Sequence, residues 1–313
     1  MMQTLVLGNV MADGLDILRE FSEPTVVPEP VAKRDVLRCV GQADAILHKV
    51  GKIDRDVLAA QERLKIIARH GVGLDDLDLE CIRARAIPVS ITSGANSNAV
   101  AEATVGLMLA ALRHLPRAQR MIKRDRQWAR ETLMGRELAH LTVGIVGLGQ
   151  IGRRVARYVA AFGSRVVVCD PALDTMDECP YPVLGLEELL RTADVISLHC
   201  PLTPLTRHLI DADSLARVKR DCVIVNTSRG PIVDANALVT AACEGRIGGA
   251  ALDVFDAEPP NFDDDLFRCD NIITTPHVAA MTVHAQRDMA VSAANEIRRV
   301  LVDGSPPRND VLS

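Results

Sequence analysis

The chain has 313 residues, 48% of them apolar and 25% charged, with a formal net charge of −5. That length implies about two domains rather than one small core. Scattered basic residues on an acidic chain exclude the clustered positive face of a nucleic-acid binder. From residue 3 to about 92, short apolar runs at 4–7, 45–47, 65–68 and 88–91 alternate with amphipathic stretches near 12–20, 31–40, 54–61 and 76–85. Strand and helix in alternation mean βαβ units and a parallel sheet. Residues 97 to about 123 read as one Ala- and Leu-rich helix, interrupted late by Pro116, and a polar stretch over 124–140 carries the single tryptophan, Trp128. A second alternation begins at Leu141, with strands expected at 142–146, 165–169, 195–198, 222–226, 249–253 and 272–274. These are mostly continuous apolar runs, as sheets covered on both faces require. A final helix is expected from about 283 to 302, followed by a Pro-rich tail.

Aromatic residues make up only 3% of the chain, so Val, Ile, Leu and Ala must fill the interior. The eight cysteines (39, 81, 169, 179, 200, 222, 243, 269) contain no C-x-x-C pair. They read as reduced, mostly buried thiols of a cytosolic protein. The N-terminus lacks a basic region and a cleavage pattern, and no apolar run reaches the roughly 18 residues of a membrane span. The expected compartment is the cytoplasm, without membrane or nucleic-acid partners.

Residues 147–152 read G-L-G-Q-I-G, directly after the strand T-V-G-I-V and directly before the helix R-R-V-A-R-Y-V-A-A-F. In such a turn Gly147 permits the sharp reversal, Gly149 lets a pyrophosphate approach the backbone, and Gly152 lets helix and strand pack closely. The helix N-terminus then offers N–H groups and partial positive charge to the phosphates. Asp170 ends the next strand, roughly 20 residues on, where a carboxylate accepts from the adenosine ribose hydroxyls. That carboxylate would repel a 2′-phosphate, and the following P-A-L-D supplies no arginine to receive one. NAD is therefore expected over NADP, and no metal is called for.

Three polar clusters follow later strands of the same sheet: N-T-S-R-G (226–230), D-V-F-D-A-E-P-P (253–260) and T-P-H-V-A-A (275–280). Reducing a 2-oxo acid requires a cation for the carboxylate and carbonyl oxygen, a proton donor, and a hydride source. Arg229 has the planar fork for a carboxylate. His277 has the ordinary pKa of a general acid/base near neutrality. Glu258 is placed to orient the ring and favour the imidazolium. His199, also at a strand end, has no neighbouring carboxylate in sequence and reads as a structural or cofactor-side histidine.

Taken together these motifs resemble the D-isomer-specific 2-hydroxy acid dehydrogenase family over about residues 44–290, including the segment R-H-G-V-G-L-D-D-L-D (69–78). The resemblance implies that Arg229, Glu258 and His277 are the catalytic arginine, acid and histidine. It also implies that the Val72 and Gly73 amides meet the substrate carboxylate and that Asn96 lies near a hinge. For the cofactor it points to Gln150, Ile151, Asp170, Cys200, Pro201, Thr206, Thr227, Ser228, Asp253 and Ala279 beside the three glycines. In H-K-V-G-K (48–52), His48 stands where phosphoglycerate dehydrogenases carry an arginine for the distal phosphate. A substrate contact is expected from His48, with Lys49 either compensating or solvated. Ala103 replaces a histidine common in relatives, and V-A-A (278–280) replaces Ile-Gly-Gly.

The fold expected is α/β, with two doubly wound parallel-sheet domains. Residues 1–95 plus 286–313 form a flavodoxin-like substrate domain, and 96–285 form a Rossmann NAD domain. The chain crosses twice between them, which suits a closing hinge. By resemblance, the helix from Ser97 and the arm around Trp128 form a homodimer interface; an intrachain packed Trp128 is the alternative. The function expected is hydride transfer between NAD(H) and a small D-2-hydroxy or 2-oxo acid. An NAD-sensing, corepressor-like binding protein is the rival of another class. Glu258 disfavours a formate dehydrogenase, where relatives carry glutamine, and Val72 stands where phosphite enzymes place a lysine.

Overall fold

Strand β1 (Met2–Leu7) opens the chain in the computed structural model, which describes residues 1–173 and 179–312. It is followed by α1 (Ala12–Arg19), β2 (Ser22–Val27), α2 (Lys33–Cys39), β3 (Ala45–His48), α3 (Arg55–Ala60), β4 (Ile66–Arg69), α4 (Leu79–Ala84) and β5 (Val89–Ile91). All five strands are parallel, in the order β2-β1-β3-β4-β5. That is the flavodoxin-like order, with the switch point between β1 and β3. Alternation along the strands feeds two cores. Leu5, Leu7, Ile46 and Ile67 pack with Val36, Val57, Leu58 and Ile82 on one face, while Val6, Ala45, Leu47 and Ile66 pack with Leu18 on the other. Strand β2 escaped the sequence reading because S-E-P-T-V-V is polar and contains proline. Both features belong to an edge strand, where an unpaired N–H position costs nothing.

The second unit starts with α5 (Ser97–Leu112) and α6 (Leu115–Lys123), two helices where one was expected. His114 adopts φ 51° between them and Pro116 falls in the first turn of α6. Proline tolerates a helix start and disfavours continuation from before it, so the break precedes the proline rather than following it. Then come β6 (Thr142–Val146), α7 (Gln150–Ala161), β7 (Arg165–Cys169), α8 (Leu186–Thr192), β8 (Val195–Leu198), α9 (Ala212–Arg217), β9 (Val223–Asn226), α10 (Ala235–Cys243), β10 (Gly249–Leu252) and β11 (Ile272–Thr274). The six-stranded parallel sheet has the order β11-β10-β9-β8-β6-β7. Its switch point lies between β6 and β8, directly beneath the glycine-rich turn. Helices α5 and α7 cover one face through Ala101, Val105, Met108, Val155 and Val159. Leu189, Leu215 and Leu238 cover the other.

Helix α11 (Val283–Leu301) closes the chain, capped by Thr282, and packs Ala293, Ala294 and Ile297 on the first sheet. The two compact units are thus Met1–Asn96 with Met281–Ser313, and Ser97–Ala280. Each is a doubly wound parallel-sheet α/β domain. Among the described residues no helix is long and apolar enough to cross a membrane. Four of the eight thiols are buried, three are intermediate and Cys243 is exposed, so burial is less general than the sequence suggested.

Candidate active site

Every polar cluster singled out in the second half of the sequence sits at the carboxyl end of a strand of the second unit, the edge where open α/β sheets bind ligands. The turn after β6 is shaped by backbone proximity. Gly147 adopts φ 91°, and a Cβ there would meet the Cys200 nitrogen at 2.7 Å; one on Gly152 would lie 2.0 Å from the Gly147 oxygen. No other residue fits either position. Nothing lies within 4 Å of the Cβ position of Gly149, and α7 begins there without a side-chain cap. Its first-turn amides are left for an anion. Asp170 directly follows β7, its Oδ2 accepting from the Leu148 amide at 2.7 Å and its Oδ1 from the Ala172 amide at 2.9 Å. One carboxylate thus braces the turn and keeps lone pairs for a ribose. These residues fit a dinucleotide.

Asn226, the last residue of β9, organises the next turn, a role that residue spacing alone does not mark. It is 1% exposed, its Nδ2 donates to the Arg229 oxygen at 2.8 Å, and its Oδ1 accepts from the Ser228 amide and hydroxyl. Thr227 is paired with Thr104 of α5, hydroxyl to hydroxyl at 2.8 Å. Thr104 already donates to the Val100 oxygen, so Thr227 is the donor of that pair. The Arg229 side chain donates to the Ser228 oxygen at 2.7 Å. Its following residue, Gly230, approaches the backbone of Phe255 so closely that a Cβ would lie 2.1 Å from the Phe255 carbonyl carbon. The Arg229 turn and the Glu258 loop are locked together by that contact.

His277 and Glu258 meet at 2.6 Å, Nδ1 to Oε2, and their side chains remain 50% and 38% exposed. The second carboxylate oxygen of Glu258 accepts from the Phe255 amide at 3.1 Å. Among the described residues the His277 Nε2 has no partner. The hydrogen bond that the His277 Nδ1–H donates to Glu258 raises the imidazole pKa above its ordinary value; burial opposes this, and the charges of Glu258 and Asp253 reinforce it. For Glu258 burial alone would raise the pKa, but the His277 hydrogen bond and charge and the Phe255 amide outweigh it, and the carboxyl sits below the usual range. Both shifts favour the charged forms, a carboxylate beside an imidazolium. A pocket of about 450 Å³ borders it, lined by Phe255, Pro259, Phe262, Phe267 and Pro276 as well as the pair itself.

His277 adopts φ 52°, a left-handed conformation that a non-glycine residue holds only when its surroundings impose it. Asp253 imposes it here. Its backbone oxygen accepts from the His277 amide at 2.9 Å. Its carboxylate, 1% exposed, accepts from Thr275 Oγ1 and from the Val278 and Ala279 amides at 2.6, 2.9 and 2.8 Å. Asp253 is a positioning residue for the histidine loop. Ala279, expected beside the cofactor, is buried and has its amide committed to Asp253.

Other expected residues fall as follows. The Cys200 thiol is buried in the core, and its pKa is pushed up to about 11 by burial; the backbone of Cys200 abuts Gly147. Thr206 closes the 201–206 turn by donating to the Pro201 oxygen at 2.6 Å. His199 pairs with Ser197 at 2.8 Å, and burial lowers its pKa to about 3. In the first unit, Val72 and Gly73 follow β4, and neither amide is paired among the described residues. The Gly73 oxygen is held by Arg69 Nε at 2.7 Å. Asn96 is the last residue of the first unit, with its buried Oδ1 unpaired.

His48, expected at the substrate, lies inside the first unit. It is 0% exposed, its Nε2 donates to the Gly51 oxygen at 2.6 Å, and its Nδ1 accepts from Arg69 Nη1 at 3.0 Å. Burial, with the Arg69 charge, lowers its pKa to about 3. It has no exposed surface, and both ring nitrogens are engaged. Lys49 is not solvated either, being bonded to Glu29 at 2.9 Å and to the Asn9 oxygen at 2.8 Å. Trp128 is 82% exposed, which removes the intrachain packing alternative.

Residues 105–279 match the family model described as D-isomer specific 2-hydroxyacid dehydrogenase, NAD binding domain. The chain is 39% identical over 305 residues to a D-3-phosphoglycerate dehydrogenase of Methanocaldococcus jannaschii, covering 96% of this chain and 58% of that one. It is 37% identical over 292 residues to a hydroxypyruvate reductase of Thermotoga maritima, covering 92% and 95%. Among solved structures, a D-lactate dehydrogenase from Aquifex aeolicus complexed with NAD and lactic acid superposes with a TM-score of 0.83 at 27% identity, covering 99% of each chain. The chain spans little more than half of the phosphoglycerate dehydrogenase it matches and nearly all of the hydroxypyruvate reductase. With an NAD-binding sheet and a carboxylate-paired histidine at its ligand edge, it belongs to the D-isomer-specific 2-hydroxyacid dehydrogenase family.

Proposed function

We propose that the chain is an NAD(H)-dependent oxidoreductase interconverting a small 2-oxo acid and its D-2-hydroxy acid. The observation that carries this reading is the Glu258–His277 pair at 2.6 Å, in loops locked to the Arg229 turn. When bound at the glycine turn and Asp170, NAD(H) would supply or accept the hydride. Arg229 binds the substrate carboxylate and polarises the carbonyl. His277, as imidazolium, gives its Nε2 proton to the carbonyl oxygen, and Glu258 stabilises the charged ring.

An unphosphorylated substrate is favoured. At positions 48 and 49 the histidine is neutral and enclosed and the lysine is paired with Glu29, so neither is offered to a distal phosphate. Cytoplasmic location and a homodimer through the NAD domain belong to the same proposal. The exposure of Trp128 and Met134, 82% and 86%, supports a subunit contact on that arm.

NADH consumption measured against glyoxylate, hydroxypyruvate, pyruvate, 2-oxoglutarate and phosphohydroxypyruvate tests this reading. Turnover is expected with an unphosphorylated acid, exceeding that with phosphohydroxypyruvate. NADH binding without turnover on any of them would favour a dinucleotide sensor instead.

A further inference from the structure

Outside the site just described, one cluster of reactive side chains has no role in hydride transfer. Cys243 ends α10, and Cys269 follows the short turn Asp265–Arg268 that leads into β11. Their sulfurs lie 2.7 Å apart, nearer than unbonded sulfur atoms ordinarily rest. Both ends are fixed independently of the thiols. Asn271 Nδ2 donates to the Ala242 oxygen at 3.2 Å, and the Ile272 amide donates to the Cys269 oxygen at 3.2 Å. Cys243 is also the one exposed cysteine among the described residues, whereas Cys81, Cys179, Cys200 and Cys222 are buried.

We propose that Cys243 and Cys269 are a reversible dithiol switch, closed to an intrachain disulfide by hydroperoxides and reopened by small thiols. Exposure makes Cys243 the thiol that meets the oxidant, since it is the thiolate that reacts and access governs its rate. Burial and the hydrogen bond with Cys243 push Cys269 up to about 12, so the inner thiol keeps its proton until its partner has reacted. The Cys243 thiolate attacks one peroxide oxygen; the O–O bond breaks, an S–O bond forms, and the departing hydroxide leaves as water after taking a proton. The Cys269 sulfur then attacks the Cys243 sulfur, displacing hydroxide, which carries off the Cys269 proton as a second water. Two thiols are oxidised and one hydroperoxide is reduced.

The bond would tie the end of α10 to the segment carrying Leu266 and Phe267, whose ring packs on Phe255 and Phe262 with centroids 5.7 and 5.5 Å apart. That segment lies between the Glu258 loop and β11. The sulfurs already touch, so closure fits the native backbone and restricts the unfolded chain more than the folded one.

The test treats purified protein with hydrogen peroxide and maps its cysteine peptides under non-reducing conditions by mass spectrometry. A single Cys243–Cys269 cross-link that dithiothreitol removes is expected, with a melting temperature higher in the oxidised form than in the reduced. Cys243→Ser should abolish the cross-link. Cys269→Ser should leave a sulfenic acid on Cys243 that a 1,3-dione reagent captures. Recovery of Cys243 and Cys269 as separately alkylated thiols after oxidation would overturn the proposal, as would a bond to a different cysteine or a second chain. An unchanged or lower melting temperature would overturn the claim that closure fits the native fold.

Discussion

His277 titrates under opposing influences: the Glu258 hydrogen bond raises its pKa, burial and Arg229 lower it, and the balance lies above the ordinary value of 6.5. An imidazolium near neutral pH is what carbonyl reduction needs, because the oxygen must gain a proton as the carbon gains hydride. The rate of 2-oxo acid reduction should therefore be level below that raised pKa and fall as pH climbs through it. Glu258→Gln keeps the shape of the side chain and removes its charge, so the descending limb should move to lower pH. A pH–rate profile at saturating NADH measures this; a limb that stays in place or moves upward would show that Glu258 does not stabilise the charged ring.

The loops at the strand ends carry the site, and the histidine loop after β11 depends most on one buried group. Asp253 accepts from one hydroxyl and two amides of the histidine loop. Asp253→Ala leaves all three donors without a partner, which should destabilise the protein by about 3 kcal/mol and lower turnover through misplacement of His277. Denaturant unfolding gives the first quantity; a loss below ~1 kcal/mol would mean that the loop holds itself. This support was not legible in the sequence, where Asp253 read as a cofactor contact, because its partners are a hydroxyl and two backbone amides brought back by the tertiary fold. Thr104 was hidden because its hydroxyl partner, Thr227, lies 123 positions away, and Asn226 because its bonds depend on the shape of its turn. The glycine turn, Arg229, Glu258 and His277 stood out because rare residue types recur at predictable strand ends. Hydrophobic period placed most strands within a residue or two, but it cannot mark a polar edge such as β2. Nor does it tell that a histidine one position past a predicted strand end, His48, is enclosed by Gly51 and Arg69 rather than exposed to ligand.

Across the whole molecule, three histidines are folded in as neutral rings. Burial lowers His48 to about 3, His70 to about 4 and His199 to about 3, from 6.5. Between those values and 6.5 the unfolded chain binds more protons than the folded one, so stability is full above 6.5 and declines as pH falls toward 3. Equilibrium unfolding from pH 7 to pH 4 should show that decline, and His199→Asn should flatten part of it; a pH-independent midpoint would contradict the buried, neutral assignment. The two doubly wound units are alike in architecture, but the glycine turn, Arg229, Glu258 and His277 all belong to one. The account stands or falls on that unit joining dinucleotide binding to proton transfer. The most direct measurement compares the wild type with His277→Asn for NADH affinity and for turnover of the best 2-oxo acid. NADH affinity should remain within a few-fold while turnover drops about 10²–10⁴-fold. Turnover close to wild type with the ring gone would contradict it.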